Sequence, residues 1–416
     1  MTTPHIHTLN RRHALGCCAG LASGLFTSLQ GLAQPAAPSW LHDERLQRCL
    51  QGLDASQLWD VHTHLLGTGD AGTGCRVHPH MAQWWHPVEH LRKRMIMGAA
   101  GVPSESTAVD TVYVARLAQL ADQFPAGARW MLFAFDDALD DSAQVRPDWT
   151  TFHVPNLHAQ AVARQHPDRF EWVASIHPYR PDAVQRLDAA LAGGARAIKW
   201  LPSAMNIDLR DARCRPFYAR LAASGRPLIV HCGEEKAVPG AGRDDLGNPL
   251  MVRAALAQGV RVIVAHCASL GEALDLDQRR PGPRPAFELF ARVMDEADGR
   301  ARMLGDVSAV FQSNRSAAVA QAVVAHANGA WQGRLLHGSD YPLPGVGWLY
   351  RLQGLVRAGL LDEASAQWLP TLQAQNPLMF DLVVKRCLRW QGQGLPEAVF
   401  ATRSHWASLP RAAGLS

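Results

Sequence analysis

Residues 58–67 read LWDVHTHLLG. Asp60, His62 and His64 alternate with Val61 and Thr63, and a β-strand sends every second side chain to the same face. As a strand, this stretch puts Asp60, His62 and His64 on one side and brings two imidazoles together at its C-terminal end. Neutral imidazole is the commonest side-chain ligand for zinc and its neighbours. A lone His-x-His pair is equally the signature of a surface or core pair, so its meaning depends on the rest of the chain.

Further apolar runs follow at 129–136 (RWMLFAFD), 170–176, 195–201 (ARAIKWL), 226–232 (RPLIVHC), 261–267 (RVIVAHC), 303–310 and 334–336. Between them lie helical patterns at 107–123, 156–166, 181–192, 215–224, 250–258, 285–297 and 316–328, and the stretch 348–390 is helical throughout. The apolar runs are continuous rather than alternating, as in parallel strands buried on both faces. With the first run they make eight strand–helix units over roughly 330 residues, which predicts a TIM-like (β/α)8 barrel with loop insertions and C-terminal helices. An open doubly wound sheet is the competitor, and the lack of a GxGxxG turn after any early strand counts against it. Residues 67–90, rich in Gly, His and Trp, read as a long loop over one end of the fold. Residues 39–56 read as a short amphipathic helix, with Leu41, Leu46, Leu50 and Leu53 at helical spacing.

The polar residues at the strand ends carry the chemistry. Lys199 lies on the fourth strand, His231 ends the fifth, His266 ends the sixth and Asp340 follows the eighth. In a barrel these ends surround one mouth, where the active sites of the fold lie. Imidazoles and a carboxylate gathered with His62 and His64 in a water-filled mouth make a divalent-metal site with open positions. This donor set suits zinc, and manganese or iron also fit; one or two ions are allowed. Taken alone, Asp340 reads as a helix cap ahead of Pro342. His177 ends the third strand and is a weak candidate for substrate contact against a structural role. Asp60 reads as a barrel filler, Glu234 and Glu235 as a solvated loop or a gate, and Trp200 as core facing the helices. His78, His80 and His86, beside Trp84 and Trp85, are weak candidates for the pocket wall.

The ordered set WDVHTH, HPDRF (166–170), GARAIKWLPS (194–203), PLIVHCGE (227–234), VIVAHC (262–267), LLHGSDYP (335–342) and QNPLMF (375–380) resembles the amidohydrolase superfamily. The likeness is to its amidohydrolase-related branch, which includes proteins like aminocarboxymuconate-semialdehyde decarboxylase, and it spans 58–380. It implies that His62, His64 and His231 bind metal, and that Asp340 binds metal or takes a proton from water. It implies that His266 is a further ligand or polarises the substrate. Lys199 stays open between a carbamylated bridge joining two metals, a cation for substrate and a structural lysine. The first expectation is a metal-dependent hydrolase of an amide, ester, lactone or related bond in a small molecule. The second is a non-oxidative decarboxylase, marked by a cation near the metal that holds a carboxylate. The third is a metal- or solute-binding protein without catalysis, and the intact donor set argues against it.

The chain has 416 residues, 47% hydrophobic, with a formal charge of +4. That small charge leaves no nucleic-acid footprint, and no apolar run reaches the roughly 18 residues of a membrane span. Asn10-Arg11-Arg12-His13 precedes the mild apolar run LGCCAGLASGLFTSLQGLA, and no acidic residue occurs before Asp43. This predicts a twin-arginine signal peptide over 1–33, with the twin-arginine translocase as export partner and the periplasm as destination. A linker and helix (34–57), the barrel (58–390) and a C-terminal tail (391–416) complete the expected organisation, and homo-oligomerisation is left open. Cys17 and Cys18 fall in the signal. The other six cysteines are widely spaced without a CxxC pair, so no disulfide framework is expected; one bond between Cys232 and Cys267 is the exception considered.

Overall fold

The computed structural model describes residues 38–406, so the predicted signal peptide lies outside the described residues. Eight short parallel strands form the centre: β1 (Trp59–His64), β2 (Arg129–Phe133), β3 (Phe170–Val173), β4 (Ile198–Trp200), β5 (Leu228–His231), β6 (Val262–Ala265), β7 (Met303–Asp306) and β8 (Leu335–Leu336). One ladder runs β1–β2–β3 and a second β4–β5–β6–β7–β8. A parallel bridge from Ala174 to Ile198 joins β3 to β4, and one from Thr63 to Tyr341 joins β1 to the turn after β8. At that second seam Val61 N donates to His337 O (3.1 Å), Asp340 N to His62 O (2.8 Å) and His64 N to Tyr341 O (2.9 Å). The ring is therefore closed. It is a (β/α)8 barrel, and the open sheet is excluded.

Period-2 alternation divides the apolar residues into two cores. Met131, Phe133, Val173, Ile229, Ile263, Leu304 and Leu336 pack together inside the ring. Their neighbours in sequence, among them Trp130, Leu132, Trp172, Val230 and Val264, pack outward with the helices. Trp200 follows the outward pattern, with ring centroids 5.2 Å from Phe217 and 5.8 Å from Tyr218, which leaves Lys199 between two outward residues. β1 departs from strict alternation. Val61 joins the inner core, yet His62 and His64 line the mouth above it. The register of β1 against β2 shifts between Asp60 and Thr63, and such an irregularity re-aims side chains.

Helices follow the strands: Val109–Asp122, Asn156–Gln165, Ala183–Ala192, Arg215–Ser224, Ala286–Asp295 and Ala317–Ala327. Three expectations change. The loop at 67–90 contains a two-residue strand, Arg76–Val77, paired antiparallel with Phe152–His153, a turn of helix at Pro79–Ala82 and the start of helix Pro87–Ala99. Both helices open on proline, whose fixed φ suits the first helical position. The stretch 348–390 is broken into helices Gln353–Arg357, Glu363–Gln375 and Pro377–Cys387. The tail expected from 391 is part of the barrel as far as it is described. Thr402 Oγ1 accepts from Trp59 N (2.9 Å), and fully buried Trp406 packs with Trp59 and Val61 in the inner core. The described cysteines are all free. Cys267 does not pair with Cys232; its thiol donates to Asp306 O at 3.2 Å.

Candidate metal centre

The seam between β1 and β8 assembles the donors. His62 Nε2 and His64 Nε2 are 3.3 Å apart, and Asp340 Oδ1 lies 3.1 Å from His64 Nε2 and 3.4 Å from His62 Nε2. Ligand atoms about 2.1 Å from an ion in tetrahedral geometry stand about 3.4 Å apart. The three atoms are thus spaced to share one ion. Asp340 reaches this position with φ at +60°, a left-handed conformation that an aspartate tolerates better than most residues. The turn that delivers it needs Gly338, because a Cβ there would fall 2.7 Å from His62 Cβ. His266 opens a left-handed run, with φ of +55° followed by +50° at Cys267 and +48° at Ala268. Strain of this kind persists where surrounding structure over-determines it, commonly at functional sites.

Hydrogen bonds fix how the imidazoles present themselves. His62 Nδ1 faces Asp306 Oδ2 at 2.9 Å and His266 Nδ1 faces Ser308 O at 3.1 Å, while His231 Nδ1 stands 3.3 Å from Glu235 Oε2 as a charge contact without a hydrogen bond. Carboxylates and carbonyls only accept, so at His62 and His266 the partner assigns the proton to Nδ1 and leaves a lone pair on Nε2. All three Nε2 atoms belong to side chains that line one cavity of about 280 Å³. His231 Nε2 is buried with no hydrogen-bond partner, and His266 Nε2 lies 4.0 Å from Asp340 Oδ2. Burial holds the pKa of His62 and His266 well below the ordinary histidine value and lowers that of His231; Lys199 adds to the effect at His62. Neutral imidazole with a free lone pair is the ligand form.

Lys199 is fully buried among these groups, its Nζ without a hydrogen-bond partner and 5.1 Å from the centre of the Phe133 ring. Burial lowers its pKa from 10.5 to about 8. Asp60 lies below the ligands, accepting from His62 N (3.0 Å) and Ser339 N (2.9 Å), and so ties β1 to the turn after β8. Burial pushes its pKa up to about 7.

The structure separates other candidates from the centre. His177 has both ring nitrogens engaged: Nε2 donates to Met205 O at 2.8 Å and Nδ1 accepts from Tyr179 N at 3.2 Å. Both nitrogens are thus taken up within the fold, and the structure places His177, a weak candidate for substrate contact, outside the cavity lining. His78, His80 and His86 also lie outside the cavity, while Glu234 and Glu235 line it.

Two residues escaped the sequence reading. Asp306 ends β7, fully buried, and holds His62 by one oxygen. Its other oxygen accepts from the backbone N–H groups of His266 (3.1 Å) and Ser308 (3.0 Å) and from the Ser308 hydroxyl. Its position at the end of an apolar strand is the signal that marked His231 and His266. Arg315, in the loop after β7, lines the cavity with its Nε and Nη1 buried and without hydrogen-bond partners.

The Amidohydro_2 family, described as Amidohydrolase, matches residues 59–378. The chain belongs to that family. Its members are metal-dependent enzymes acting on small molecules, and the donor set above is where this chain fits a metal. No curated protein matches the chain. Among solved structures, an uncharacterised TIM-barrel protein from Bordetella bronchiseptica is similar at 17% identity, over 78% of this chain and 99% of that one, with a TM-score of 0.48. A protein from Pseudomonas putida assigned as 2-pyrone-4,6-dicarboxylic acid hydrolase is similar at 16% identity, over 84% and 97%, with a TM-score of 0.47. A 5-carboxyvanillate decarboxylase from Novosphingobium aromaticivorans, solved with bound manganese, is similar at 12% identity, over 76% and 94%, with a TM-score of 0.44. The family assignment rests on the sequence match rather than on these likenesses.

Proposed function

We propose that this protein is a metal-dependent hydrolase that opens an amide, ester, lactone or related bond in a small organic acid. The observation that carries the reading is the convergence of His62 Nε2, His64 Nε2 and Asp340 Oδ1 at mutual distances of 3.1–3.4 Å. A divalent ion held there, zinc by preference, supplies Lewis-acid polarisation and lets water ionise near neutral pH. Asp340 does the proton work. Its Oδ1 belongs to the ligand cluster, so its Oδ2, on the His266 side, takes the proton from the attacking water and passes it to the leaving group. His231 and His266 present ring nitrogens to the same space and serve a second ion or steady the first. Phe133 floors the pair of histidines, its ring centre 4.7 Å from that of His62 and 5.5 Å from that of His64, which limits water beneath the reacting atoms.

The acid character of the substrate comes from the cations. A buried charge without a partner is costly, and Lys199 and Arg315 both face the cavity unpartnered. A substrate carboxylate would satisfy them. The same observation favours a second reading, non-oxidative decarboxylation, in which the held carboxylate is the group lost. The test is to load the purified protein with zinc or manganese and offer carboxylated lactones and amides alongside aromatic acids in 18O-labelled water. Hydrolysis puts 18O into the organic product, whereas decarboxylation releases carbon dioxide and leaves the organic product unlabelled. Asp340→Asn should abolish either reaction, and Arg315→Met should weaken it about 100-fold, chiefly through KM. Turnover unchanged by both substitutions would overturn the assignment of the site.

We also propose export by the twin-arginine route, supported by Arg11 and Arg12 ahead of the mild apolar run. A reporter fused after residue 38 should be exported, and should stay inside the cell when both arginines are replaced by lysine. Among the described residues no helix is long and apolar enough to cross a membrane.

A further inference from the structure

Cys49 lies in the helix Glu44–Leu50 and Cys387 ends the helix Pro377–Cys387, and their sulfurs stand 3.4 Å apart. The contact does not depend on the sulfurs alone. Arg386, next to Cys387, donates from Nε to Cys49 O and from Nη2 to Gln51 O (2.9 Å). The two backbones are therefore clamped together, and closing the gap to a bond of about 2.05 Å asks the sulfurs to approach by about 1.4 Å. Both residues are half-buried at a surface depression that Arg45, Arg48 and Arg389 also line. The other described cysteines are buried elsewhere. Burial pushes the pKa of Cys75 up to about 11 and those of Cys214 and Cys232 up to about 12, and it holds that of Cys267 well above the ordinary thiol value.

We propose that Cys49 and Cys387, free thiols in this structure, close on oxidation to a disulfide that staples the barrel at the seam where it closes. That seam is held by a single parallel bridge and a few backbone hydrogen bonds rather than a continuous ladder. The helix bearing Cys49 precedes β1, which carries His62 and His64. The helix bearing Cys387 also carries Lys385, whose Nζ donates to Gly338 O (2.6 Å) in the turn that delivers Asp340. The bond thus ties together the two elements that flank the metal ligands, and it links positions 338 residues apart. A crosslink that long strongly restricts the unfolded chain.

The chemistry is a two-electron oxidation by a disulfide oxidant, either oxidised glutathione or a thiol oxidoreductase. The Cys49 thiolate attacks the oxidant's disulfide, forms a mixed disulfide and expels one thiolate. The Cys387 sulfur, having lost its proton, then displaces the second thiolate and closes the bond. The protein gives up two electrons and two protons, and the oxidant leaves as two thiols. The pKa of Cys49 is lowered to about 7, first by the hydrogen bond from Cys387 and then by the charges of Arg386, Arg389 and Arg48. That makes Cys49 the attacking thiol. The export reading bears only on where the chain meets an oxidant; the bond itself is tested on purified protein.

The test equilibrates the metal-loaded chain in glutathione buffers from fully reducing to fully oxidising, alkylates free thiols and maps the peptides without reduction. The expected result is a crosslinked peptide pair containing Cys49 and Cys387, and a Tm about 5 °C lower after reduction. Cys49→Ser and Cys387→Ser should each remove the crosslink and bring Tm to that of reduced wild type. If Cys49 and Cys387 stay alkylatable in oxidising buffer, if each instead stops at a glutathione adduct, or if reduction leaves Tm unchanged, the proposal is overturned. Failure of the export assay with the crosslink intact would leave the bond standing and remove only its cellular setting.

Discussion

Asp306 decides what His62 can do. By accepting from Nδ1 it leaves the Nε2 lone pair aimed at His64 and Asp340. Such outer carboxylates orient a ligand and raise its basicity, and losing one typically costs 10–100-fold in metal affinity. Asp306→Asn should therefore weaken metal binding by about that factor with the fold intact, which competition against a chelator will measure. Lys199 illustrates the opposite balance, stability given up for function. Its pKa falls from 10.5 to about 8 on burial, so the folded state binds the proton less well than the unfolded chain does. The destabilisation is complete below pH 8 and fades as the pH rises from about 8 to 10.5. Lys199→Met should raise the stability of the metal-free protein by about 1–3 kcal/mol at pH 7, and the gain should shrink above pH 8 in denaturant titrations. The ligand candidates were legible because each imidazole sits at the end of an apolar strand, where a polar residue has no packing reason to be. Asp306 carried the same mark, but its partner is 244 residues away, and no local pattern announces such a pairing. Arg315 sits in an irregular loop with no periodicity to read, so only the folded cavity reveals it.

Strand order and the eight-fold rhythm were legible at the scale of elements, because continuous Val, Ile and Leu runs identify strands buried on both faces. The register shift in β1 was not. The sequence alternates cleanly from Asp60 to His64, and only pairing with β2 shows that Val61 fills the inner core while the histidines still face the mouth. The proline-initiated helices of 67–90 were hidden by the local richness in glycine. The hairpin Glu272–Leu274 with Pro283–Pro285 was hidden by its own composition, which carries no alternating apolar pattern. The final segment was misjudged for a physical reason: Thr402 and Trp406 complete the barrel by tertiary contact, with no motif of their own. Trp406 packs fully buried in the inner core. Trp406→Ala should cost about 3–5 kcal/mol, seen as a lower midpoint in urea with the metal-loaded protein.

The described residues form a ring with two sparsely bonded joints, β3–β4 and β8–β1, and the second is also its functional centre. The β8–β1 seam has few backbone bonds, yet His62, His64 and Asp340 face one another across it. An ion bound there links the first and last strands, so metal should raise Tm by mass action, as any ligand that prefers the folded state does. The measurement that bears most directly on the account is metal content per chain, by elemental analysis after reconstitution with zinc and gel filtration, in wild type and in His62→Ala/His64→Ala. Wild type should retain at least one ion per chain and the double variant essentially none, and a fall from two ions to about one in Lys199→Ala would identify a bridging carbamate. A wild-type protein that holds no ion, or a double variant that keeps the full complement, would contradict the account.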